Sequence, residues 1–101
     1  MAELVFLLGA DIDIQRAYEF YEECQAGRGD VFMRHLDAAF AHVRRFPESA
    51  PIFRRDYRRL LVPRFPYGIF YTVEASRLVV AAVMYLRQDP KAIIQRLGEA
   101  Q

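Results

Sequence analysis

The sequence predicts an α+β fold, a small and mostly antiparallel sheet with an αα-hairpin over one face. Three observations predict it. Apolar residues recur at helical spacing from residue 13 to residue 46. Between residues 57 and 86 they group instead into short runs separated by proline, glycine and polar turn residues. The last run, Leu78 to Leu86, is apolar at nearly every position through Met84, as expected of a strand that is central or covered on both faces.

Taken in order, Glu3 to Leu8 forms a short apolar strand broken by Gly9. Asp11 or Asp13 then caps a helix whose inner residues are Ile14, Ala17, Tyr18, Tyr21 and Cys24. Gly27 and Gly29 end it, with Arg28 between them. Asp30 caps a second helix with Phe32, Leu36, Ala39, Phe40, Val43 and Phe46 as its inner stripe, and Pro47 stops it. So short a link predicts an antiparallel helical hairpin. Glu48 to Pro51 is loop. Tyr57 to Val62 is a strand whose end Pro63 and Pro66 bracket, and Tyr67 to Val73 is the next. Ala75-Ser76-Arg77 supplies a tight turn into Leu78 to Leu86. Asp89 as N-cap and Pro90 as first helical residue open a last helix, Pro90 to Leu97, ending at Gly98. The expected order is β-α-α-β-β-β-α, with the first strand joining the later three.

At 101 residues and 53% hydrophobic content, one domain spanning 1–101 with ample core is expected. The longest apolar run is too short to span a bilayer, and Glu3 precedes the first apolar stretch where a signal peptide would be basic. A cytoplasmic protein with no membrane partner is therefore expected. The single Cys24 fits a reducing compartment and excludes an internal disulfide. The net charge is +1, yet it is polarised along the chain. Asp11, Asp13, Glu19, Glu22 and Glu23 oppose only Arg16. From Arg44 to Arg64 the arginines outnumber Glu48 and Asp56. Lys91 is the single lysine among 14 basic residues. Arginine's planar fork suits bidentate carboxylate or phosphate partners; a compositional bias of the source genome produces the same count.

Metal-free RNA cleavage needs a base for the 2′-hydroxyl, cations for the phosphate and an acid for the leaving oxygen. Arg58, Arg59, Arg64 and Arg87 could supply the cations, and Tyr71 or Tyr85 the acid. No good base is apparent, because arginine stays protonated and both histidines sit on the second helix. The other reading of the arginines is a solvated or partner-facing surface. His35 and His42 share a helix face, but only Asp30 and Asp37 lie near them in sequence, and no metal is expected. Cys24 reads as a packing residue. Gly27-Arg28-Gly29 lacks the strand that precedes a phosphate-binding loop, and no cofactor is expected. Tyr18, Tyr21, Tyr67 and Tyr71 read as core and boundary residues. The last strand is more apolar than one covered face requires. An exposed groove around Val79, Ala81, Val83 and Tyr85 would take a partner's apolar segment, with Arg54, Arg55, Arg58 and Arg59 receiving its carboxylates. Alternatively, Ile93, Ile94 and Leu97 of the last helix cover it.

Several stretches, in this order, resemble the RelE/ParE superfamily. Ala17-Tyr18-Glu19-Phe20-Tyr21 is similar to that family's first helix, Gly29 through Phe32 to its glycine link, and Arg45-Phe46-Pro47 to its second-helix ending. Phe65-Pro66-Tyr67-Gly68-Ile69-Phe70-Tyr71 is similar to its third-strand motif, and Arg87-Gln88-Asp89-Pro90 to its closing basic-basic-Asp-Pro. The resemblance covers about Glu3 to Leu97. It implies the toxin of a type II toxin–antitoxin or plasmid-stabilisation pair, wrapped by the C-terminal segment of a cognate antitoxin that sets the oligomeric state. The RelE-like branch cleaves mRNA on the ribosome; the ParE-like branch poisons DNA gyrase. The nuclease branch often has arginine where Gly68 stands here and a second basic residue where Gln88 stands. It also has an aromatic near Ile93 and Ile94 or a histidine near the C-terminus, and none follows His42. These departures and Asp89-Pro90 favour a ParE-like toxin that inhibits gyrase by binding. The alternatives are a ribosome-dependent mRNA endonuclease, with Arg58, Arg59, Arg64, Arg87 and Tyr85 as its site, and a decayed homologue that only binds an antitoxin.

Overall fold

A computed structural model describes residues 1–99. The elements are β1 (Glu3–Phe6), α1 (Leu8–Cys24), α2 (Arg28–Arg45), β2 (Ile52–Arg54), β3 (Tyr57–Leu61), β4 (Tyr67–Glu74), β5 (Arg77–Tyr85) and α3 (Pro90–Glu99). The α+β class and the expected order are borne out, with one short strand added. That strand, β2, pairs with β3 across a turn in which Arg55 takes a φ of 54°. Three residues give too little alternation to announce a strand.

The sheet order is β1-β5-β4-β3-β2. β1 runs parallel to β5 and every other pair is antiparallel. β5 thus lies between β1 and β4, which accounts for its unbroken apolar run. The β4–β5 ladder carries one irregularity. Phe70 faces Ala82, but Tyr71 faces Val80, so Ala81 is an extra residue on β5. A bulge of this kind slips side-chain alternation by one position.

Two cores follow, one on each face of the sheet. The larger lies under the hairpin. Ala10, Ala17 and Tyr21 of α1 and Phe32, Leu36 and Val43 of α2 pack against Ile69, Tyr71, Leu78, Val80 and Val83. The smaller lies under α3, where Ile93 and Leu97 cover Phe70, Ala82 and Met84. The Tyr57 hydroxyl donates to the Leu97 carbonyl at 3.1 Å and ties α3 down. The α2 stripe is as expected except for Phe46, which sits at the helix end and is 53% exposed.

The helix starts differ from local expectation. α1 begins at Leu8 without a side-chain cap. Asp13 caps nothing; its carboxylate accepts the Val83 N–H at 3.0 Å and two guanidinium N–H bonds from Arg96 at 3.0 and 2.7 Å. Gly9 lies inside the first turn because Arg96 passes over it; a Cβ there would meet Nη2 at 2.9 Å. Gly27, with φ 86°, opens α2, and Asp30 lies in its first turn. There its charge favours the N-terminal end of the helix dipole. Asp89 does cap α3, accepting the Lys91 N–H at 2.9 Å. The helix runs through Gly98 to Glu99.

The loop after α2 is pinned by two side chains from the sheet. The buried Tyr71 hydroxyl donates to the Pro47 carbonyl at 2.7 Å. Arg58 donates to the carbonyls of Glu48 at 3.1 Å and Ala50 at 2.7 Å.

Two outcomes are expected. Asp13→Ala strands the Arg96 charge and the Val83 N–H at once, so it should cost about 2–3 kcal/mol in urea unfolding. Asp13→Asn, which keeps an acceptor, should cost less. Second, burial raises the phenols of Tyr21, Tyr67 and Tyr71 above their ordinary 10.0. The unfolded chain ionises first, so their contribution is full below pH 10 and is lost as pH rises through the raised values. Thermal midpoints should therefore hold up to about pH 10 and fall steeply above it, and a flat profile beyond that point would refute this.

Candidate functional site

The arginines picked out in the sequence are dispersed. Arg58 and Arg59 are neighbours on β3 and so face opposite sides of the sheet. Arg58 lies opposite Tyr71, engaged with the 48–50 loop and 3.6 Å from the Glu48 carboxylate. It is a structural tie rather than a free cation. Arg59 lies on the α3 side, its guanidinium 5.1 Å from the Phe53 ring centroid. Its stem also explains Gly68, where a Cβ would press on Leu86 at 3.0 Å and Arg59 at 3.2 Å. Arg64, with φ 68°, is exposed in the β3–β4 loop, and Arg87 is exposed beyond β5. The four do not converge on one phosphate-sized point.

The remaining candidates have local partners. The His35 Nδ1 lies 2.9 Å from the Val31 carbonyl, and its ring meets Phe65 edge-on. His42 Nε2 is 3.3 Å from the Ser49 hydroxyl. Among the described residues no group of three His, Cys, Asp or Glu could hold a metal ion. Cys24, expected to pack against the second helix, is exposed at the end of α1.

The structure offers two grooves instead. The first lies on the α3 side of the sheet, beyond the reach of α3, with a volume of about 530 Å³. Val5, Leu7, Val79 and Ala81 form its apolar floor, and Arg55, Asp56, Glu74 and Arg77 stand at its rim. Arg77 and Glu74 pair at 3.7 Å. Arg54 lies beside it with Arg55, Tyr57, Ile94 and Leu97. The open groove and the covering helix, posed as alternatives, are thus both present, over different parts of one face.

The second groove lies on the hairpin side, at the other end of the sheet. Phe20, Tyr21, Pro66, Tyr67 and Tyr85 line about 540 Å³. It continues between α1 and α3 past Arg16, Ala17 and Val83. Burial pushes the Tyr21 phenol up, and Arg28 and Arg87 nearby pull it partly back. The single surface expected around Val79, Ala81, Val83 and Tyr85 is therefore divided. The first pair belongs to one groove and the second pair to the other, because the bulge at Ala81 slips the alternation of the residues that follow it. Nothing in the sequence marks Val5 or Leu7 as site residues. Phe20 carries one signal, a large apolar side chain off the inner stripe of α1.

No helix among the described residues is long and apolar enough to cross a membrane. The curated proteins contain no match to this chain. A chain of the solved "Chromosomal ParDE TA system from P. aeruginosa" is similar in fold, with a TM-score of 0.65 at 14% identity. The alignment covers 86% of this chain and 98% of that one. The sequence model described as the ParE toxin of the type II toxin–antitoxin system parDE matches residues 4–90. That match spans most of the sequence and agrees with the fold, so the chain belongs to the ParE toxin family of type II toxin–antitoxin systems.

Proposed function

We propose that this chain is a cytoplasmic toxin that inhibits DNA gyrase by binding it, and that a cognate antitoxin neutralises it. The family match over residues 4–90 carries the reading. Binding is favoured over RNA cleavage by the dispersal of the arginines: Arg58 is engaged by the Glu48 and Ala50 carbonyls, and Arg59 lies on the other face. A cleaving site needs cations and a proton acceptor around one phosphate. The groove over Val5, Val79 and Ala81 suits the antitoxin. Its floor takes apolar anchors, and Arg54 and Arg55 beside it take carboxylates.

Purified protein incubated with gyrase and relaxed plasmid should block supercoiling or accumulate cleaved complexes. If supercoiling proceeds unchanged and no cleaved complex appears, the gyrase reading fails. The antitoxin surface has its own check. Reversing Arg54 and Arg55 to glutamate should weaken the antitoxin complex about tenfold and flatten its salt dependence, since each exposed charge contact contributes about 0.2–1 kcal/mol. Arg58→Glu should instead lower the thermal midpoint of the free protein, because it breaks the loop tie. Unchanged affinity and salt dependence in the Arg54/Arg55 variant would remove that rim from the interface.

A further inference from the structure

The second groove is built for a partner of its own. Phe20 is 56% exposed and Tyr85 40% exposed, although both are large aromatic side chains. Uncovered apolar area of this kind is stabilised by burial at roughly 25 cal/mol per Å². The walls are fixed in advance by the core. Tyr21 stacks on Phe32 at 5.3 Å and meets Phe65 edge-on at 4.9 Å. Tyr67 meets Phe32 at 5.2 Å and supports Tyr85 at 5.8 Å. A pocket whose rings are already held loses little freedom on binding.

On one side of the groove the charge is positive. Arg16 lines the groove, the Arg28 guanidinium stands 5.2 Å from the Phe65 ring centroid, and Arg87 follows Tyr85 by two positions. Among the described residues none of these three is within 4.0 Å of a carboxylate; the ion pairs belong to Arg58, Arg77 and Arg96. The one carboxylate lining the groove, Asp13, is occupied by Arg96. Tyrosine, phenylalanine and arginine without lysine is the composition of a protein-binding core.

We infer that the groove formed by Phe20, Tyr21, Pro66, Tyr67 and Tyr85 docks an acidic protein segment bearing one large apolar anchor. The anchor inserts between Phe20 and Tyr85, and flanking carboxylates meet Arg16, Arg28 and Arg87. A nucleic acid would use the same rings and cations, but Glu19 and Glu23 stand exposed on α1 beside Phe20 and repel a chain of phosphates. A peptide can keep its carboxylates on the arginine side. The site lies on the opposite face of the sheet from the groove over Val79 and Ala81, so it stands apart from the antitoxin assignment.

The experiment titrates full-length protein with a fluorescent short peptide holding one tryptophan between glutamates. The same peptide with lysines for glutamates, the same with alanine for tryptophan, and a single-stranded oligothymidine serve as comparisons. Only the tryptophan–glutamate peptide should bind saturably. Phe20→Ala and Tyr85→Ala should each weaken it about tenfold with the thermal midpoint held, and Arg87→Glu should abolish the preference over the lysine peptide. Reversing Arg54 and Arg55 should leave peptide affinity unchanged, which separates this site from the antitoxin groove. Absence of saturable binding, equal binding of the lysine peptide, or tighter binding of the oligonucleotide would overturn the inference. So would an unchanged affinity in Phe20→Ala and Tyr85→Ala.

Discussion

One carboxylate holds three elements of this fold together. β1 pairs with β5 only as far as Phe6 opposite Val80. Past that point the chain leaves the sheet and rises as α1, and the Val83 N–H loses any strand partner on that side. Asp13, one turn into α1, accepts that N–H, and it also accepts both fork nitrogens of Arg96 from α3. A buried polar group left unpaired is costly, so the geometry of α1 over the end of β5 follows from this demand. So does Gly9, whose missing side chain leaves room for the guanidinium. Near its C-terminal end α3 is thereby held twice, by the Arg96 ion pair and by the Tyr57 hydroxyl on the Leu97 carbonyl.

The bulge beside this junction decides which surfaces the protein presents. Were Ala81 paired in an unbroken ladder, Val79, Val83 and Tyr85 would fall on one face with it and form a continuous apolar strip. With the bulge, the strip is cut. The α3-side portion keeps a floor of small aliphatic residues with a mixed-charge rim; the hairpin-side portion becomes a cluster of tyrosines with Phe20, and Arg16 lines its continuation. The two differ in shape and chemistry, as sites for two different ligands would.

The sequence made the long-range architecture legible where a pattern repeats over many residues. The α2 stripe of Phe32, Leu36, Ala39, Phe40 and Val43 is buried as its spacing implied, and the continuous run in β5 marked an interior strand, flanked by β1 and β4. Asp89-Pro90 marked a helix start because both residues act through neighbouring backbone. Local rules misled where a distant partner competed. Asp13 looks like a cap in isolation, but a charged fork from the far end of the chain outbids the local amides. Arg58 looks like one more surface cation and is spent on loop carbonyls that no spacing pattern reveals. The bulge at Ala81 is invisible to period counting, since the residues around it are apolar on both sides of the slip. The candidate site was therefore legible only as separate residues: Val79, Ala81, Val83 and Tyr85 stand out in the sequence, but their grouping into two grooves required the register.

The parallel pairing of β1 has a consequence for how the protein is made. Glu3 meets Arg77 and Phe6 meets Val80, so β1 cannot find its partner until α1, α2 and the three intervening strands have been made. Contacts so distant in sequence carry a high closure entropy and form late. β5 contributes Val79 and Ala81 to one groove and Val83 and Tyr85 to the other. A nascent chain that stops short of β5 therefore lacks both grooves, and both are completed in a single step with that strand.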